Sequence, residues 1–296
     1  MYKDRPMSQH AGAQKLPEGL PLKGRRLFVC GKGGSGKSTL VALLAAVMQR
    51  RGYQVLVLDG DASNPEGLIR LLFGLGVEAE PRPLVEFFGG IERVTCPVDD
   101  PSPLTRIGDA RPVSEKRVDV SQEIPPEYYL RKDKLLFMQA GKIAHYGQGC
   151  DGPLEKVVRD FRVSGEAVSL VDMKAGVEHF GRKVPNRDDL ILGVVDYTLE
   201  SVSIAERIEE FCREAGIGDF YLVLNKIGSA QVESVLRDRL AALQQRVVGT
   251  LSFDQDLIMA GLSGKALGDC RALAEVGRIL ERLEQAVAAH GPGESR

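Results

Sequence analysis

Hydrophobic and polar positions alternate in blocks rather than residue by residue over most of this chain. Arg26-Leu-Phe-Val-Cys30 is a short apolar run, the pattern of a strand covered on both faces. Leu40-Val-Ala-Leu-Leu-Ala-Ala-Val-Met48 holds no Gly or Pro and predicts a helix. After a break at Gly52, Tyr53-Gln-Val-Leu-Val-Leu-Asp59 predicts a second strand. Further buried strands are expected at Glu166-Ala-Val-Ser-Leu-Val171, Leu190-Ile-Leu-Gly-Val-Val195 and Phe220-Tyr-Leu-Val-Leu224, with a shorter one at Val247-Val-Gly249. Helical periodicity runs from Leu199 to Ala215, with Ser201 and Ser203 near its start and Gly216 past its end. It returns from Gln231 to Leu243 and from Arg271 to Ala289. This alternation predicts an α/β fold: a mostly parallel sheet with helices on both faces.

Two stretches depart from the alternation. Residues 81–112 are rich in Pro, Gly and Asp, and about 90–134 reads as an insert rather than a second domain. Residues 1–24 lack periodicity and read as a mobile N-terminal extension, leaving 25–290 as the folded domain. Composition adds only bounds. With 39 basic and 41 acidic residues the net charge is −2, which gives no bulk attraction for nucleic acid. Five cysteines without paired spacing suit a reducing compartment, and no apolar run reaches membrane-spanning length, so the expectation is a cytoplasmic protein.

The chemistry concentrates between the first strand and the first helix. Gly31-Lys-Gly-Gly-Ser-Gly-Lys-Ser-Thr39 satisfies G-x-x-x-x-G-K-[ST] through Gly31, Gly36, Lys37 and Ser38. Glycines let the backbone curl until successive N–H groups point at phosphate oxygens. Lys37 neutralises β/γ charge, Ser38 offers a hydroxyl to Mg²⁺, and the following helix presents its positive end. The expected phosphate contacts are therefore Gly31, Lys32, Gly33, Gly34, Ser35, Gly36, Lys37, Ser38 and Thr39. Lys32 narrows the class. K-G-G-x-G-K-[ST] resembles the deviant Walker A loop of the MinD/ParA/nitrogenase iron protein superfamily, the SIMIBI class of P-loop NTPases. That resemblance implies a homodimer formed on ATP binding, in which each Lys32 reaches the partner's nucleotide.

Carboxylates at strand ends supply the remaining parts. Asp59 and Asp61 close the second strand as Val-Leu-Asp-Gly-Asp, which the superfamily resemblance makes the first switch: Asp61 orients the attacking water and Asp59 lies near the metal. Asp172 ends Ala-Val-Ser-Leu-Val-Asp, and Gly176 completes D-x-x-x-G, a glycine able to bring its N–H to the γ-phosphate. Mg²⁺ is thus expected on Ser38, Asp59 and Asp172. Asn225-Lys226-Ile227-Gly228 follows a strand where guanine-selective proteins carry N-K-x-D; Gly228 in the acidic slot points to adenine, with Asn225 offered to the base.

With these placed, roughly residues 25–290 resemble the CooC-type ATPases that assist nickel insertion into carbon monoxide dehydrogenase. Asp172-Met-Lys-Ala-Gly-Val-Glu-His-Phe-Gly-Arg182 resembles that family's D-x-E-A-G-x-E-H-x-G-R segment. Met138-Gln-Ala-Gly-Lys-Ile143, Gly147-Gln-Gly-Cys150, Val195-Asp-Tyr-Thr-Leu-Glu-Ser201 and Ser252-Phe-Asp254 extend the likeness. The family carries a C-x-C pair that binds metal between subunits, whereas this chain reads Cys150-Asp151-Gly152 and has Lys174 in place of an acid. Cys150 is a candidate soft-metal ligand for nickel or zinc at a dimer interface, with His179 or His145 as completing groups. At the spacing where the nitrogenase iron protein has a cluster cysteine stands His179, which argues against an iron–sulfur cluster. Three functions follow: an ATP hydrolase switch serving a carbon monoxide dehydrogenase-like client or another one; a positioning ATPase of the MinD/ParA type that holds a membrane or DNA; or a small-molecule kinase or ligase. The acidic residues Glu275, Glu281 and Glu284 in the last helix argue against membrane tethering.

Overall fold

A computed structural model describes residues 19–64, 67–143, 145–268 and 270–290. β1 (Arg26–Gly31) leads through the glycine loop into α1 (Lys37–Arg50), and β2 (Val55–Asp59) precedes α2 (Gly67–Phe73). The next stretch carries α3 (Leu84–Phe87), α4 (Val120–Glu123), β3 (Leu130–Lys132) and β4 (Leu135–Gln139). Then come α5 (Gly152–Asp160), β5 (Val168–Asp172), α6 (Glu178–Gly181), β6 (Leu190–Val195) and α7 (Leu199–Ala215). The remaining elements are β7 (Phe220–Ile227), α8 (Ala230–Arg239), β8 (Val247–Ser252), α9 (Gln255–Ser263) and α10 (Arg271–His290).

The strands form one sheet in the order β3-β4-β2-β5-β1-β6-β7-β8, parallel throughout except for the β3–β4 edge pair. β1, β2, β5 and β6 are buried at every position, which explains their unbroken apolar runs: helices cover both faces. Successive side chains enter opposite cores. Phe28, Leu56, Val171 and Ile191 share one with α5 and α7, while Leu27, Val29, Val57 and Leu170 share the other with α1 and α10.

α7 has its expected bounds, although its cap is Thr198, whose hydroxyl accepts from Ser201 N–H, and Gly216 at φ 68° closes it. β4 was not anticipated, despite its apolar run Leu135-Leu-Phe-Met138. The insert packs into the first core through Val94, Leu104, Val113, Val118 and Tyr128. The reading of residues 1–24 needs correction at its end. Leu22 is fully buried, its N–H donates to Tyr53 Oη at 3.4 Å, and Lys23 pairs with Glu166. Leu22 burial and these contacts together pack the turn onto the folded domain; residues 1–18 lie outside the described residues.

Candidate nucleotide site

The glycine loop has a shape only glycine permits at its two ends. Gly31 adopts φ 141°, and a Cβ there would fall 2.6 Å from Val194 O. Gly36 adopts φ 98°, and a Cβ there would fall 2.2 Å from Asn225 Nδ2. α1 starts immediately afterwards, its first turn closed by Leu40 N–H on Gly36 O at 2.9 Å. The preceding amides thus form a positive helix end at the C-terminal edge of the sheet. Gly33 and Gly34 are exposed, while Ser35 is fully buried and its Oγ has no partner. Lys37 folds back along the loop, its Nζ donating to Lys32 O at 3.1 Å.

Parallel pairing of β2 with β5 sets Asp59 beside Asp172. Ser38 Oγ donates to Asp172 Oδ2 at 2.5 Å, so helix and strand meet at this pair. Asp172 Oδ1 is buried without a partner. Burial, with the Asp59 charge added to it, pushes the Asp172 carboxyl up to about 7. Burial also raises Asp59, opposed by the ammonium of Lys142, which stands 2.7 Å from Asp59 Oδ2. Ser38, Asp59 and Asp172 together offer hard oxygen donors, one of them unsatisfied, and this set fits Mg²⁺ completed by phosphate oxygens and water.

Other expected site residues lie in or beside the loop and switches but make contacts within the protein in this structure. Asp61 caps its own loop, Oδ1 accepting from Ser63 N–H at 2.9 Å and Ser63 Oγ at 2.6 Å. Gly176, expected to offer its N–H to a γ-phosphate, donates to Gly31 O at 3.3 Å. Lys32 lies against Asp196 at 3.5 Å and Glu200 at 3.9 Å on its own chain. Asn225, expected to face the base, is 9% exposed and instead braces the loop: Nδ2 donates to Ser35 O at 2.7 Å and Oδ1 accepts from Lys226 N–H at 2.8 Å. The reason is proximity, since the end of β7 runs beside the loop. Lys226, at φ 61°, adds a second brace by donating to Gly34 O at 2.6 Å.

Sequence reasoning missed Lys142, Asp196 and Lys226 as members of this site. Lys142 stood inside the quoted 138–143 segment, but nothing local tied it to Asp59, which lies 83 residues away.

Beyond Lys142 the chain reaches Cys150. That cysteine and His145 are exposed, whereas His179 is buried. Among the described residues no group of three or more His, Cys, Asp or Glu is arranged to hold a metal ion, so the soft-metal set expected around Cys150 is not assembled within one chain. At position 152 a Cβ would lie 2.5 Å from Cys96 Sγ, so the insert occupies the space a second cysteine would need. Lys174, which stands where the resembled pattern has an acid, finds a carboxylate nearby: its Nζ contacts Asp151 Oδ2 at 2.8 Å. Arg182 joins them, 2.8 Å from Asp151 and 2.7 Å from Glu155.

Comparison with known proteins agrees with this geometry. The model of the CobQ/CobB/MinD/ParA nucleotide binding domain matches residues 27–267. An uncharacterized ATP-binding protein of Methanocaldococcus jannaschii is 30% identical over 263 residues, 87% of this chain and 99% of that protein. The carbon monoxide dehydrogenase accessory protein CooC of Rhodospirillum rubrum is 28% identical over 268 residues, 87% of this chain and 97% of its own length. Among solved structures, MinD of Pyrococcus horikoshii in complex with Mg-ADP superimposes with a TM-score of 0.60 at 15% identity, covering 91% of this chain and 99% of that one. That likeness concerns the fold.

Proposed function

The chain belongs to the CobQ/CobB/MinD/ParA nucleotide-binding family, and on that premise we propose that it hydrolyses ATP as a dimeric switch for metallocentre assembly. The observation that carries the catalytic part is the meeting of Ser38, Asp59 and Asp172 beside the glycine loop, with one Asp172 oxygen left unpartnered. Mg²⁺ held there would draw charge from the β- and γ-phosphates. Lys37 leaves Lys32 O to meet the same phosphates, and Gly176 N–H turns from Gly31 O toward the γ-phosphate. Asp61 exchanges its Ser63 contacts for the attacking water. Lys32 leaves Asp196 and crosses to the nucleotide of a second copy. Gly228, in place of an acid, favours adenine over guanine.

The client is proposed from similarity to CooC, and carbon monoxide dehydrogenase-like enzymes are the first to try. A membrane-positioning role is less well supported. The apolar side of α10, including Leu273, Val276, Leu280 and Leu283, is buried in the core, and no described helix is long and apolar enough to cross a membrane. Sedimentation with Mg²⁺ and ATP tests the switch. The expected result is a monomer-to-dimer shift, with phosphate released in the absence of any acceptor. Lys32→Ala is expected to lose roughly a thousandfold in hydrolysis, the scale of a charge supplied in trans. Wild-type dimerisation and turnover in that variant would sink the proposal.

A further inference from the structure

Lys142 enters the site through the fold, outside the phosphate loop and both switch aspartate motifs, and its surroundings make it more than a stray cation. Its Nζ lies 2.7 Å from Asp59 Oδ2 and 2.7 Å from Asp61 O, with the side chain 13% exposed. Asp59 Oδ1 is already held by Asp61 N–H at 3.0 Å, so the ammonium supplies the remaining charge compensation of a carboxylate that is 3% exposed. A divalent ion on Asp59 and Asp172 would stand within a few ångströms of this ammonium, and two cations repel strongly when little water lies between them.

The backbone carrying Lys142 is tied to both switches. Ile143 N–H donates to Ala62 O at 3.1 Å, and Gln148 Nε2 donates to Lys142 O at 3.3 Å. At the far end Asp151 is clamped by Lys174 and Arg182, which follow Asp172 in sequence. Between these anchors Tyr146 and Cys150 face solvent. We propose that Lys142 is a resident counter-cation: it neutralises Asp59, yields its place when magnesium arrives with nucleotide, and in leaving shifts the surface segment 145–150. The proposal rests on the reading of Asp59 as a magnesium-side carboxylate. It makes the segment around Cys150 the part of the surface that reports which nucleotide is bound.

The full chain contains no tryptophan, so Tyr146→Trp gives a single emitter on that segment. Emission is followed with a non-hydrolysable ATP analogue, with and without Mg²⁺, while calorimetry measures binding independently. The expected result is an emission shift with Mg²⁺ plus analogue and none with analogue in EDTA. Adding Lys142→Gln is expected to abolish that shift while lowering the half-saturating Mg²⁺ about tenfold, the scale of one displaced partly buried ion pair. Binding by calorimetry with unchanged emission in the Tyr146→Trp protein overturns this proposal alone and needs no change at Lys142. So does a raised Mg²⁺ requirement in the Lys142→Gln protein, which would make Lys142 a phosphate ligand. Absence of analogue binding overturns both this and the ATPase reading.

Discussion

Two buried charge clusters sit at opposite ends of the same sheet, and they are built differently. At the start of β1, Arg26 meets both oxygens of Asp189, at 2.9 and 2.8 Å, and Arg162 adds a third contact to the same carboxylate at 2.6 Å. Arg26 also donates to the carbonyls of Val158, Arg159 and Phe161, so its guanidinium is well satisfied. At the other end, Asp172 has one hydroxyl partner and one bare oxygen, and the nearby His179 Nε2 is buried with no acceptor or donor. Satisfied charges fix a scaffold, whereas a costly unsatisfied one is kept where a ligand will complete it. On the proposed reading, the difference separates residues that hold the fold together from those offered to a ligand.

Breaking the satisfied cluster should have the largest effect on stability. Arg26→Met leaves buried Asp189 with Arg162 as its remaining cation, beside the Asn186 N–H, and is expected to cost about 3–5 kcal/mol in urea unfolding. The folded fraction should still bind nucleotide with unchanged affinity.

His179 sharpens the contrast through pH. Burial, aided by the positive charges of Lys37, Lys174 and Arg182, pushes its imidazole down to about 3. The unfolded chain takes that proton near pH 6.5, the folded chain only near 3, so the unfolded state binds more protons between those values. Acidification below about 6.5 should therefore cost the wild type about 1.4 kcal/mol per pH unit relative to His179→Phe. Parallel denaturation curves at pH 7 and 5.5 would refute this.

The smallest expected effect is at the loop brace. Asn225→Ala removes the contact to Ser35 O, and nucleotide affinity should fall about fivefold, worth about 1 kcal/mol, with little change in melting temperature. A large loss of stability without a loss of affinity would place Asn225 with the scaffold instead.

Much of the fold was legible because its signals are local. β1, the glycine loop and α1 occupy one continuous stretch, and each needs only its own residues: an apolar run, glycines for positive φ, then helix formers. Asp59 and Asp172 could be picked out as carboxylates ending apolar strands. β4 was also legible in Leu135–Met138, but the run follows directly on the stretch 90–134 that breaks the strand–helix alternation, so no flanking helix marks it as a strand.

The chain alone determined six of the sheet's eight strands, all but β3 and β4, together with the phosphate loop and the identities of the charged groups around it. Folding decided their partners: Asp59 with Lys142, Lys32 with Asp196, Lys174 with Asp151, and Cys96 against Gly152. Backbone conformation is governed by neighbours in sequence, whereas a charge chooses its partner by distance and burial, which exist only once the sheet has brought remote segments together.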